Sequence, residues 1–501
     1  MSNTFQNVRS LRPGRSVFNL SYEKKLTCDL GELIPTMCDE VVPGDKFIIG
    51  NEVVVRFQPL VAPVLHEINC FIHYFFVPYR LLWEDWEDFI SGGVDGEDAS
   101  TLPYWDPTDT ASGSLWDYMG MPVGVDPGVD CRPVDFPKRA YNLVYNEFYR
   151  DETQIAEVDI ATAEDIQIRA WEKDYFTSAL PWQQRGIAPA LPISGTTFAD
   201  FTTAVSGTSS TTGVNINASS DTFLAGTSGA NNADLINAFN KNVLDFADAA
   251  TFDVADLRLA FQIQKWMERN ARAGARYTEF LGAHFGVSPR DDRLQRPEYI
   301  GGSKNPVVVS EVLQTSMTPD STVEDGTPQG NLAGHGLTAG RNFVAKYNAQ
   351  EFGLIIGIMS VMPRPAYQQG IDRQWIKSTK YDFYFPEFAN LSEQAIYRME
   401  LYASTVKNDN LTVFGYQGRY DEMRVKKNQV CAQMRDTLDY WHLGRQFASA
   451  PSLNQTFIEC IPDKRIFAVQ DEDGLVVNIA NVIKAIRPLP IQSNPGLIDH
   501  D

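Results

Sequence analysis

Histidine and cysteine are scarce in this chain of 501 residues, with six of each. The cysteines (Cys28, Cys38, Cys70, Cys131, Cys431 and Cys460) are scattered, and no two form a Cys-x-x-Cys pair. That excludes the usual zinc modules and a disulfide framework; it reads as reduced thiols, with Cys70 in a core. No apolar run approaches the ~20 residues of a membrane-spanning helix, so no membrane insertion is expected. The opening MSNTFQNVRSLRPGRS has no apolar centre of the kind an export signal needs. Catalytic signatures are missing as well. His66-Glu67 begins a zinc-protease motif that Cys70 breaks, Gly334-His-Gly336…Gly340 misses the dinucleotide spacing, and Gly301-Gly-Ser-Lys304 is no P-loop. His442, beside Trp441, reads as a satisfied core histidine. Nothing here proposes a reaction, a cofactor or a metal. Positive charge is also in deficit: 43 Lys and Arg against 64 Asp and Glu leave a net charge of −21, which argues against an autonomous duplex-DNA binder.

What the chain does have is strands. Lys46 to Phe57 alternates, with Val53, Val55 and Phe57 on one face and Val54 and Arg56 on the other. Ile68 to Val77 is apolar on both faces: Ile68, Cys70, Ile72, Tyr74 and Phe76 on one, Phe71, Phe75 and Val77 on the other. Such a strand must be covered twice, by a second sheet, by long loops or by a neighbouring subunit. Val307 to Leu313, Gly353 to Met362, Tyr381 to Phe385 and Ile466 to Val469 also read as strands. The natural partner of Ile68–Val77 is the buried run Gly353–Met362. Strands separated by very long excursions suggest a decorated β-sandwich.

The excursions differ in character. Residues 1–27 form a basic arm and first strand, with Arg9, Arg12, Arg15, Lys24 and Lys25 against a lone Glu23. They read either as a solvated terminus or as an arm touching nucleic-acid phosphates. Strands occupy 28–90. From Glu84 to Asp135 thirteen carboxylates face a single cation, Arg132, so this run, which leads into the acidic and mixed excursion 91–185, reads as irregular surface rather than core. Glu84 and Asp88 could form an acid–base pair or collect Ca²⁺, but solvation alone explains most such runs. Within 138–182, Tyr141–Phe148 and Trp171–Phe176 read as two helical or buried segments. Between Gly186 and Asn240 there is no Lys or Arg, only three carboxylates (Asp200, Asp221, Asp234), and a surfeit of Gly, Ser, Thr, Ala and Asn. Residues 186–250 therefore read as a variable insertion, either floppy or ordered only against its own copies, through Phe198, Phe201, Phe223 and Leu224. A helix over Asp256–Ala273 opens the segment 251–352 of helix and loops, and the remaining strands and C-terminal loops fill 353–501.

The wording of several blocks carries a resemblance. Pro43-Gly-Asp45, Arg56-x-x-Pro-Leu-x-Ala-Pro-Val64 and HYFFVPYRLLW open it. KRAYNLVYNEFYRDE (Lys138–Glu152), DYFTSALPW (Asp174–Trp182), WMERNARAGARY (Trp266–Tyr277), LQRPEYIGG (Leu294–Gly302), YQQG (Tyr367–Gly370), DYWHLGRQF (Asp439–Phe447) and PGLIDH (Pro495–His500) continue it in order. Together they resemble the microvirus major capsid protein family, its gokushovirus branch in particular. The resemblance implies a mainly β fold: a single eight-stranded jelly-roll β-sandwich with long inserted loops and a few helices. It implies a non-enzymatic structural protein of a bacteriophage virion, assembled in the host cytoplasm into a homo-oligomeric T=1 icosahedral shell around single-stranded DNA. Expected partners are a small basic DNA-binding virion protein, other virion proteins and a host-cell receptor. The basic arm then faces the DNA, and the insertion forms a three-fold protrusion used in attachment. The alternatives from the residues alone are a carbohydrate-active β-sandwich enzyme using the acidic excursion and its tryptophans, or a sugar-binding tail module.

Overall fold

A computed structural model of the chain describes residues 14–189, 215–217, 222–224, 254–274, 276–313 and 332–492. The chain divides into two units, Met1–Gln183 with Asn270–Asp501, and Gln184–Arg269. Its strands in order are β1 (Ser16–Asn19), β2 (Tyr22–Cys28), β3 (Ile34–Val41), β4 (Lys46–Phe57), β5 (Ile68–Pro78), β6 (Asn215–Asn217), β7 (Thr222–Leu224), β8 (Glu298–Pro306), β9 (Val308–Leu313) and β10 (Leu332–Asn348). After these come β11 (Gly353–Pro363), β12 (Ala366–Tyr367), β13 (Glu393–Tyr397), β14 (Val413–Gly418), β15 (Asn428–Gln429) and β16 (Leu475–Arg487).

The larger unit is a β-sandwich. One antiparallel sheet runs β1-β16-β4-β10-β9, with β2 also on β16; the other runs β3-β11-β5-β8. Six and four strands thus stand where eight are expected, because two short strands share the edge of β16 and β9 extends β10. The pairing of Ile68–Val77 with Gly353–Met362 is as read: β5 and β11 are in register from Ile68↔Pro363 to Pro78↔Gly353. Between the sheets pack Phe47, Ile49, Val53 and Val55 of β4 against Ile68, Cys70, Ile72 and Tyr74 of β5. A polar row crosses this core. Asn481, Asn51 and Asn342 are register partners on β16, β4 and β10. The Asn51 amide donates to the Tyr74 hydroxyl (3.1 Å) and Ser303 Oγ (3.2 Å), and Asn481 to the Thr36 carbonyl (3.0 Å). Asn342 donates within the row to Asn51 Oδ1 (3.2 Å) and to Asn305 Oδ1 of the facing sheet (3.2 Å). A row whose amides all donate to the facing sheet penalises any slip of one sheet over the other.

The second face of β5 is covered by the acidic excursion, a correction to its reading as surface. Trp105, Leu115, Trp116, Phe136 and Tyr141 are fully buried or nearly so, and with Phe75, Val77, Ile356 and Ile358 they form a second core. Trp105 and Trp116 meet edge to face at 5.1 Å. Their indole nitrogens donate to Glu164 Oε1 (2.9 Å) and the Pro122 carbonyl (2.8 Å). Carboxylates dominate the composition because they line the outside, while the few large apolar residues point in.

Two other expectations change. Tyr381–Phe385 and Ile466–Val469 are not strands but lie in loops with short helical turns (Lys380–Asp382, Lys464–Ile466). The Asp382 carboxylate accepts from the backbone N–H of Ser378 and Thr379, and that local alternative outcompetes a ladder. Trp171–Phe176 is buried as read, with Trp171, Tyr175 and Phe176 in core positions, but as a turn rather than a helix, since Asp174 Oδ1 accepts from the N–H of Phe176 and Thr177. Tyr141–Phe148 is helical as read, within Phe136–Val144 and a wider turn over Tyr145–Tyr149. The glycines at 334, 336 and 340 lie inside β10. A Cβ there would meet the Ala62 carbonyl (2.5 Å), the Phe57 ring (2.7 Å) and the Asn305 side chain (2.3 Å), so they serve close packing of backbone. The smaller unit holds the paired β6 and β7 and most of the helix Val254–Ala273.

Candidate functional site

The outward face of the six-stranded sheet carries a charge opposite in sign to that of the chain as a whole. Strand alternation that sends Phe47, Ile49, Val53 and Val55 inward sends Lys46, Glu52, Val54 and Arg56 outward. Register then assembles rows across strands. Lys484 of β16 and Lys346 of β10 flank Ile48; Ile486 and Asn348 flank Lys46; Glu52 faces Arg341; Val476 and Leu337 flank Arg56. On the other side of β16, Lys25 stands opposite Asn478 and Glu23 opposite Ala480. Six cations (Lys25, Lys46, Arg56, Arg341, Lys346, Lys484) therefore share a face with two carboxylates, Glu23 and Glu52. Both carboxylates are used in surface pairs, Lys25–Glu23 at 3.0 Å and Arg341–Glu52 at 2.8 Å. Among the described residues, Lys46, Lys346, Lys484 and Arg56 have no carboxylate partner.

Of the five residues marked as DNA contacts, Arg9 and Arg12 lie outside the described residues. Arg15 is exposed at the start of β1, and its guanidinium lies beside the turn at Gly44 that leads into Lys46. Lys25 is exposed on the basic face. Lys24 points the other way: its ammonium donates to the Pro35 carbonyl (2.8 Å) and the Tyr118 carbonyl. Burial pushes its pKa down to about 8. The structure thus joins Arg15 and Lys25 to lysines that the sequence reading did not mark. Alternation within Lys46–Phe57 already put Arg56 off the core face; Lys346 and Lys484 needed β10 and β16, which that reading did not identify. Of the protrusion residues, Phe198 and Phe201 lie outside the described residues. Phe223 and Leu224 are in β7, opposite Ile216 and Asn215.

A cavity of about 680 Å³ beside β5 is lined by His73, Tyr149, Arg169, Trp171, Arg296 and Tyr299 among others. Its donors are already engaged. Arg169 lies over the Phe71 ring (4.5 Å) and donates to Ser360 Oγ (2.7 Å), and Arg296 pairs with Asp291 (2.7 Å). Burial, with Arg169 nearby, pushes His73 down to about 4, so the ring is neutral near pH 7, and its Nδ1 meets the Tyr149 hydroxyl at 2.8 Å. His442 is buried as read, its Nδ1 accepting from the Gly444 N–H at 2.8 Å. Among the described residues no helix is long and apolar enough to cross a membrane.

Sequence comparison adds an independent line. A family model described as capsid protein (F protein) matches residues 6–497. Capsid protein VP1 of Chlamydia phage 1 is 35% identical, over 99% of this chain and 98% of the relative. The VP1 proteins of Bdellovibrio phage phiMH2K (34%, covering 91% and 90%) and Spiroplasma virus 4 (30%, covering 96% and 95%) are similar over nearly their whole lengths.

Proposed function

From the premise that this chain belongs to the capsid protein (F protein) family of the microviruses, and is thus a structural component of a virion, we propose that it builds a T=1 icosahedral shell around single-stranded DNA. The observation that carries the reading is the segregation of charge. A chain with net charge −21 gathers unpaired cations on one sheet face, as a subunit does when one surface meets phosphates and the others meet water. Phosphate contact through Arg15, Lys25, Lys46, Arg56, Arg341, Lys346 and Lys484 is independent of base sequence, which suits packaging. A small basic virion protein would neutralise much of the remaining DNA charge. Assembly takes place in the host cytoplasm, where the six thiols stay reduced.

The carbohydrate readings are less favoured, because Trp105 and Trp116 of the acidic run Glu84–Asp135 are core residues and only Trp86 there is half-buried. Negative-stain microscopy of the purified chain, alone and co-expressed with its virion partners, tests assembly. Uniform closed shells are expected. A monomer that persists beside those partners at every ionic strength ends the proposal.

The insertion 186–250 is assigned to host attachment as an outward three-fold protrusion. With Ser194–Asn232 replaced by a short Gly-Ser linker, particles should still assemble, lack density at the three-folds and adsorb poorly to cells. Failure to fold would make the segment part of the core, and unchanged adsorption would remove its attachment role.

A further inference from the structure

The loop between β12 and β13 presents an unusual surface. Trp375, Tyr381, Phe383, Tyr384, Phe385 and Leu391 are all exposed, Trp375 by 74%. This is not a frayed loop, because side chains tie its backbone down at several points. The Lys377 ammonium donates to the Asp382 carbonyl (2.7 Å) and Arg419 to the Tyr381 carbonyl (3.2 Å). The Tyr420 hydroxyl donates to the Phe383 carbonyl (3.1 Å). Beneath it, Arg373 pairs with the fully buried Glu400 at 2.8 Å, and the Tyr175 hydroxyl donates to the same carboxylate at 3.0 Å. Apolar area held out to water on a fixed backbone is what a docking surface needs, since its ordering entropy is already spent.

Three lysines flank these rings, while of the carboxylates in the same segment Asp372 and Asp382 accept from backbone N–H groups and Glu387 is exposed. Lys380 lies 5.1 Å from the Tyr381 ring centre and Lys377 5.9 Å from that of Phe383, and Lys426 is exposed nearby, 3.4 Å from Gln374 Oε1. Among the described residues, neither Lys380 nor Lys426 has a carboxylate partner. The complementary surface is on the same chain. Between Glu84 and Asp98 seven carboxylates are exposed with no cation, none of them in an ion pair among the described residues. They surround two exposed apolar residues, Ile90 and the fully exposed Val94. Trp86, packed edge to face on Tyr79 at 4.8 Å, anchors this knob to the second core.

We propose that the acidic knob Glu84–Asp98 of one copy docks on the aromatic surface Ile371–Leu391 of the next, with the exposed Lys380 and Lys426 as its charged contacts. A knob and its receptor on different parts of one chain make a heterologous contact, the kind that closes into rings. The proposal rests on the capsid reading and names one of the contacts that reading requires.

The test uses the full chain co-expressed with its virion partners. Lys380→Glu with Lys426→Glu should lower shell yield at least about tenfold, since like charges across an interface suppress association. Asp85→Lys with Asp88→Lys should do the same, and the four substitutions together should restore shells. Circular dichroism and melting of each variant report folding. If a reversal does not fold, Lys380→Gln with Lys426→Gln is used instead and should make shells dissociate at lower salt. Reversed variants that assemble normally, neutral variants with unchanged salt sensitivity, or a quadruple variant that stays unassembled would each overturn this contact while leaving the capsid reading standing. Absence of shells from the unaltered chain would overturn the capsid reading itself.

Discussion

Particles carrying Lys46→Gln, Lys346→Gln and Lys484→Gln together are expected to assemble normally and to lose much of their DNA. The three ammonium groups come from β4, β10 and β16 and stand in adjacent rows around Ile48. All three are exposed, and none has a carboxylate partner among the described residues, so their removal should change subunit stability by no more than about 0.5 kcal/mol. Their worth lies in phosphate contact. Each contact to a single strand contributes about 0.7 to the slope of log affinity against log salt, so losing three lowers the slope by about 2. At ~0.1 M salt that corresponds to roughly a hundredfold weaker binding. DNA content per particle across a salt series is the measurement. Lys24→Gln is the control, because that ammonium is held by the Pro35 and Tyr118 carbonyls and should leave DNA content alone. Equal retention by the triple variant and the parent at every salt concentration would mean that this face does not meet the DNA.

Trp116→Ala should be among the most damaging single changes in the sandwich, costing about 3–5 kcal/mol. Its ring is buried against Trp105, and its indole N–H is satisfied by the Pro122 carbonyl, so truncation leaves both a cavity and an unmatched carbonyl. The effect spreads, because this layer is what covers Phe75 and Val77 of β5 and Ile356 and Ile358 of β11. With the layer loosened, a strand pair that is apolar on both faces would be open to water, and the subunit should aggregate before it assembles. Chemical denaturation of the isolated subunit gives the stability, and the soluble yield reports the aggregation. A loss below about 1 kcal/mol would show that the excursion decorates the sandwich without holding it.

Local pattern was enough for part of this protein. Burial on both faces leaves an unbroken apolar run, so β5 and β11 were identifiable as strands and as each other's partner. Alternation located the inward face of β4, and the helix ending at Ala273 showed its period. The long collinear blocks carried the family. Other elements could not be read this way, because their residue choices answer to distant neighbours. The inward positions of β10 are Gly334, Gly336, Thr338, Gly340 and Asn342, which look like a loop until Phe57, Ala62 and Asn305 are seen filling the space above them. Trp105 and Trp116 sit among carboxylates in the chain, yet the apolar back of β5 buries them. Lys46, Lys346 and Lys484 are far apart in the chain, and only the pairing of β16 and β10 with β4 makes them one charged surface. Composition and period are properties of neighbours along the chain, whereas burial and electrostatic potential depend on neighbours in space, and strand register decides which residues those are.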